Sequence, residues 1–122
     1  MAYDDQNIFA KILRGEIPCS KVYEDEHALA FHDINPMAPV HVLVIPKGSY
    51  TSFADFGSKG TAKEIEGFFR AVNHVARDLS LEDKGYRILA NTGEHGHQEV
   101  PHFHMHIFGG APLGRMISKV TG

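Results

Sequence analysis

The chain contains a single cysteine, Cys19, and no tryptophan in 122 residues. One thiol excludes an internal disulfide framework and suits a reducing compartment. Cys19 itself reads as a small buried residue, since no cationic neighbour is evident to activate it. No apolar run approaches the roughly 18 residues that a membrane span needs, so no membrane partner is expected. The first seven residues are polar and acidic, unlike a signal peptide, which makes the cytoplasm the expected address. Cations are scarce as well: 12 Lys and Arg stand against 15 Asp and Glu, for a formal charge of −3. That balance argues against a sheath for a nucleic-acid polymer, though not against a single bound nucleotide. Internal repeats, low-complexity tracts and linkers are missing too. What remains is one domain over 1–122, with a core of about 5–110 and a tail, 111–122, without clear periodicity. A chain of this size buries roughly two thirds of its unfolded surface, enough for one core.

What the chain has in quantity is histidine, nine in all. His102, His104 and His106 alternate with Phe103 and Met105 and run into Ile107, Phe108, Gly109 and Gly110. A strand sends every second side chain to one face, so this spacing predicts three imidazoles in a row with the hydrophobes entering the core. Imidazole titrates near neutrality and serves as nucleophile, proton donor or metal ligand.

The rest of the pattern predicts an α+β domain with a mostly antiparallel sheet. Asp5 or Asn7 is the candidate cap of a short helix through Ile8, Phe9, Ile12 and Leu13, stopped by Gly15 and barred from resuming by Pro18. Residues 21–24 and 28–32 read as a hairpin pair around Asp25-Glu26. Asp33 to Pro39 is a turn-rich loop because of its prolines, and 41–45 is a continuous apolar strand closed by Pro46. Between Gly60 and Leu81 lies the clearest helix. Ile65, Phe68, Phe69, Val72, Val75, Ala76 and Leu79 form its apolar stripe, and Thr61 with Glu64 makes a capping box at its start. Residues 86–90 read as the next strand, and a turn over 91–96 leads to the histidines.

The histidine row admits more than one chemistry. The outer Cα atoms of a regular strand over 102–106 stand roughly 13 Å apart, so one zinc ion holds two neighbours of the row but hardly all three. A third ligand would come from His41, His32 or a carboxylate, yet no paired cysteine or HExxH accompanies the row. A plainer alternative is a set of structural histidines on a half-exposed strand. Three in register, with His41, His95 and His97 besides, make better sense facing an anion. A neutral imidazole attacks phosphorus, and a second hydrogen-bonds the phosphate or protonates the departing group. Asn91, Gln98 and backbone amides near Gly93 and Gly96 are uncharged donors that would spread phosphate charge.

His102-Phe103-His104-Met105-His106-Ile107-Phe108 resembles the signature of the histidine-triad (HIT) family. The likeness extends through Ile8–Ile12, Gly15–Pro18, Phe31–Pro36, Pro39–Lys47, Gly85–Arg87, Asn91–Gly93 and Gln98–Val100, in the order of the Hint branch and over nearly the whole chain to Gly110. The resemblance implies a HIT-like fold, with a five-stranded sheet, one long helix and one short one. It also implies a hydrolase of purine nucleoside 5′-phosphoramidates that works without a cofactor, and a homodimer with joined sheets.

By the same resemblance His104 is the nucleophile at the α-phosphorus, and His106 contacts the phosphate and helps protonate the leaving nitrogen. His102 and His41 orient them. Asp33 matches the carboxylate for the ribose hydroxyls, although by itself it reads as a turn-initiating residue. Phe9, Ile17, Phe31, Ile34 and Leu43 resemble the base pocket and are equally what any core requires. Asn91, Gln98 and Glu99 fall at the phosphate or leaving group, and Val100 is expected among the nucleotide-binding residues. His97, Pro101 and Ala111 depart from what relatives often carry there. Cleavage of dinucleoside polyphosphates, metal-assisted hydrolysis and a non-catalytic nucleotide-binding role stand as alternatives.

Overall fold

The apolar run of residues 41–45 becomes the middle of a sheet. In the computed structural model, which describes residues 2–122, it forms β3 (Val40–Pro46), buried on both faces from His41 onward. Its neighbours are β2 (Ala28–His32) on one side and β5 (Met105–Gly109) on the other. β1 (Lys21–Glu24) and β4 (Arg87–Leu89) close the edges, giving five strands in the order β1-β2-β3-β5-β4, antiparallel throughout. The β1–β2 turn is held by Asp25, whose Oδ1 accepts from the amides of His27 and Ala28 at 2.7 and 2.9 Å.

Three helices accompany the sheet, one more than the resemblance implies. α1 (Ile8–Leu13) is capped by Asn7 and not by Asp5: Asn7 Oδ1 accepts from the Ala10 amide at 2.9 Å. Gly15, at φ +80°, ends it as predicted, with the Glu16 amide reaching back to the Lys11 carbonyl. α2 (Phe53–Lys59) was not expected. Its signal was present in Ser52, whose side chain accepts from the Asp55 amide at its N-terminus. α3 (Ala62–Asp78) is the long helix, with the Thr61–Glu64 capping box formed; it stops three residues short of Leu81. Ser80 there takes φ +60°, and the amides of Ser80 and Leu81 bond back to Arg77 and Ala76.

Alternation along the strands sorts side chains onto two faces. Ala28, Ala30, Val42, Val44, Phe103 and Ile107 pack against Phe68, Val72 and Val75 of α3. Phe9 of α1 packs with Leu29, Phe31, Leu43 and Ile45 on the other. Among the described residues no helix is long and apolar enough to cross a membrane.

The expectation of three histidines on one strand needs correcting. β5 begins at Met105, so only His106 lies within it. Residues 102–104 are tied down differently, because β3 runs out at Pro46. The Phe103 amide donates to the Tyr50 carbonyl at 2.7 Å, and the Pro46 carbonyl is taken by the His102 side chain at 2.9 Å. Inward and outward directions nevertheless alternate through the segment, with Phe103 in the core beside α3.

Candidate active site

Opposite α3, a cavity of about 390 Å³ opens between α1, the loop after β2, β3 and the approach to β5. Strand register explains how its histidines meet. Leu43 pairs with His106 and His41 with Phe108, so His41 and His106 are diagonal neighbours on one face of the sheet. Their rings approach until His41 Nε2 and His106 Nδ1 are 2.9 Å apart. Phe108, two residues beyond His106 and on the same face, stacks on His106 with the planes 4° apart and packs tilted against His41, its centroid 4.2 Å away.

Hydrogen bonds fix which nitrogen of each neutral ring carries hydrogen, since an amide only donates and a carbonyl only accepts. His41 Nδ1 accepts from the Met37 amide at 3.1 Å. The hydrogen of His41 therefore sits on Nε2 and is donated to His106 Nδ1. That leaves His106 with its own hydrogen on Nε2. His104 Nδ1 donates to the His102 carbonyl at 2.7 Å, which leaves a lone pair on His104 Nε2. His102 Nε2 donates to the Pro46 carbonyl, so its Nδ1 is an acceptor. One ring of the cavity is thus a nitrogen base and its neighbour an N–H donor; the ring centroids are 5.1 Å apart.

Burial keeps all four rings neutral. It pushes His102 and His106 down to about 4, the latter helped by the adjacent His104 and His41. It lowers His104 and His41 too, and the bond to the His102 carbonyl and the Asp33 carboxylate respectively oppose part of that effect.

Nine of the residues singled out from the sequence line this cavity: Phe9, Asp33, His41, Leu43, Asn91, Glu99, Val100, His104 and His106. The others lie outside its wall. His102 is wholly buried behind it, and Phe31 packs in the core beneath. Ile17 is half-buried away from the lining, whereas Ile34 is 88% exposed on the loop after β2. Gln98 spends its amide on the Thr51 and Val100 carbonyls and its Oε1 on the Gly93 amide, tying loops together. Asp33 keeps its turn role, accepting from the Asn35 amide, while its Oδ2 lies 3.5 Å from His41 Nε2.

Sequence reasoning overlooked three contributors. Asn35 and Met37 reach the cavity through a loop whose path no local pattern announces. Phe108 was legible in principle, because a residue two beyond His106 must share its face. His97, one of the further histidines expected to face an anion and a departure from what relatives often carry, sits at the rim with φ +59° and pairs with Glu99 at 3.1 Å.

The lining carries Asp33 and Glu99 and neither lysine nor arginine. Asp33, His41 and His106 place one candidate metal-ligand atom each within 4.8 Å of one another. His41 and His106 already share a hydrogen between Nε2 of the first and Nδ1 of the second.

The family model for the HIT domain matches residues 14–113. An uncharacterized 13.2 kDa HIT-like protein of Azospirillum brasilense is 62% identical over 117 residues, 96% of each chain. The purine nucleoside phosphoramidase of Escherichia coli is 39% identical over 114 residues, 93% of this chain and 95% of that one. The HIT family hydrolase of Clostridium thermocellum superposes with a TM-score of 0.85 at 39% identity, covering 94% of this chain and 99% of that one.

Proposed function

Because this chain belongs to the HIT family, we propose that it is a hydrolase that cleaves the P–N bond of purine nucleoside 5′-phosphoramidates through a nucleotidyl-His104 intermediate. The observation that carries the reading is the bond from His104 Nδ1 to the His102 carbonyl. It holds the lone pair on Nε2, in a ring that burial keeps uncharged. In the first step that lone pair forms a bond to the α-phosphorus while the P–N bond breaks, and the departing amine takes up a proton. His106, with hydrogen on Nε2, hydrogen-bonds the phosphoryl group and supplies that proton. The new N–P bond leaves the His104 ring cationic, and the carbonyl on its Nδ1–H stabilises that charge. Water then attacks phosphorus and passes a proton back to His106, and release of the nucleoside monophosphate restores both rings. Asp33 takes the ribose hydroxyls, and Phe9, Leu43 and Val100 supply apolar wall for the base.

The absence of lysine and arginine from the lining favours a neutral or cationic leaving amine over a polyphosphate, whose extra charge would meet Asp33 and Glu99. The test is intact-protein mass spectrometry after mixing with adenosine 5′-phosphoramidate. An adenylyl adduct mapping to His104 is expected; turnover with no adduct, or an adduct elsewhere, overturns the assignment. The cluster of Asp33, His41 and His106 keeps a metal-assisted reading alive. Turnover is expected to survive chelation, and loss that zinc restores would favour the metal.

We further propose that two copies pair through the opposite side of the molecule. β4 is an edge strand, and beside it Phe53, Phe69 and Ile88 remain exposed around a second, apolar cavity. Light scattering at micromolar concentration should give twice the chain mass; a monomer there rejects the pairing.

A further inference from the structure

Ahead of α1 the chain makes a contact for which the reaction above has no use. The Tyr3 hydroxyl lies 2.6 Å from His102 Nδ1, with the two rings edge to face and their centroids 5.6 Å apart. Tyr3 is the donor, because the hydrogen of the neutral His102 ring is committed to the Pro46 carbonyl. The partners are 99 residues apart in sequence, so the contact is not a by-product of local geometry.

Asn7 aims the segment. This buried residue accepts from the Ala10 amide as the cap of α1, and its Nδ2 donates to the Asp4 carbonyl at 2.8 Å. Its backbone amide bonds the same Asp4 oxygen at 3.3 Å. The resulting turn over Asp4–Asn7 carries Tyr3 to His102, while Phe9 packs edge-on against His104 with centroids 4.9 Å apart.

We infer that Tyr3 is a positioning residue for the His104 nucleophile, acting through His102. The inference rests on the phosphoramidase reading. His102 has its ring held at both nitrogens and presents its backbone carbonyl to His104 Nδ1. A ring fastened at both ends cannot rotate or exchange tautomers, so the peptide behind it keeps its aim. Without the hydroxyl, Nδ1 is a buried acceptor lacking a partner, which the ring relieves by rotating or moving its hydrogen. The Pro46 bond and the carbonyl under His104 then loosen together, and less of His104 holds its lone pair on Nε2. Tyr3 is absent from the cavity wall, so nucleotide affinity does not depend on it.

The test is Tyr3→Phe, which removes one oxygen and keeps the ring. With adenosine 5′-phosphoramidate, kcat should fall about five- to tenfold while KM stays within about twofold, the split expected when ground-state binding is untouched. Imidazole ¹⁵N spectra should report His104 as the Nδ1–H tautomer in the natural chain and as a mixture in the variant. Asn7→Ser, which retains a cap acceptor but loses the donor to Asp4, should move both readouts the same way by less. A kcat within twofold of the natural chain overturns the inference. Unchanged His104 spectra overturn it whatever the rate does. If the natural chain shows no turnover, the phosphoramidase reading falls, and the spectra alone still decide the role of Tyr3.

Discussion

Two cavities of about 390 Å³ flank residues 103–106, and those four residues serve both. Phe103 and Met105 line the first, with Phe56, Phe68 and Val72; His104 and His106 line the second. Equal volume hides unequal purpose. On the α3 side the buried side chains of Phe56, Phe68, Val72 and Phe103 serve by excluding water, and hydrophobes of fitting shape would replace them. On the other side each ring is held by named partners that decide where its hydrogen sits. A packing face tolerates exchange of volume, whereas a proton-handling face tolerates only exchange of function. Neighbouring residues in one extended segment therefore fail in different ways when altered.

The sharpest way to break the comparison is a pair of adjacent truncations. His104→Ala should lower turnover by at least about 10⁴-fold, because nothing else on the wall replaces a removed nucleophile. Adenosine monophosphate should still bind, as calorimetry would report; unaltered turnover would mean the histidine face is only a binding site. Phe103→Ala should instead cost about 3–5 kcal/mol of stability in urea melts, the usual penalty for an emptied aromatic site in a core. Per folded molecule it should keep most of its activity.

Acid should separate the two faces next. His102 has a pKa of about 4 in the fold against 6.5 when unfolded, so the unfolded chain binds the extra proton between those values. Stability is then full above about pH 6.5 and is lost as pH falls towards 4, by about 3 kcal/mol for this wholly buried ring. His106, lowered to a similar value by burial, adds in the same direction. His102→Asn should flatten part of that slope in melting curves between pH 4 and 7. The acid limb of kcat/KM is expected below the ordinary histidine value, because burial lowers His104 as well. A limb at or above 6.5 would place a different group in control.

The smallest effect belongs to the exposed rim of the apolar cavity. Phe69 is 74% exposed, so Phe69→Glu should shift stability of the single chain by no more than about 0.5 kcal/mol. It should nonetheless abolish pairing if that face is the interface, which sedimentation would detect.

Legibility followed the range of the interactions. The hairpin of β1 and β2, the strand β3, the caps of α1 and α3 and the inward turn of Phe103 are set by residues a few positions apart, and periodicity reported them. α2 was missed because only Ser52 and Asp55 marked it, in a stretch too short to build an apolar stripe. In the site, the histidines were plain. The cavity also draws Met37 from a loop, sets Ile34 aside in solvent and turns Gln98 into a brace between loops. Those outcomes depend on where distant backbone atoms happen to offer a donor or an acceptor.

The order of residues by itself determined that imidazoles would crowd one side of an extended segment and hydrophobes the other, since alternation needs nothing beyond the pleat. Which nitrogen of each imidazole holds the hydrogen was decided only by tertiary structure. The carbonyls of Pro46 and His102, the amide of Met37 and the hydroxyl of Tyr3 make that choice. A proton occupies whichever site its surroundings favour, and half of those surroundings come from segments far away in the chain.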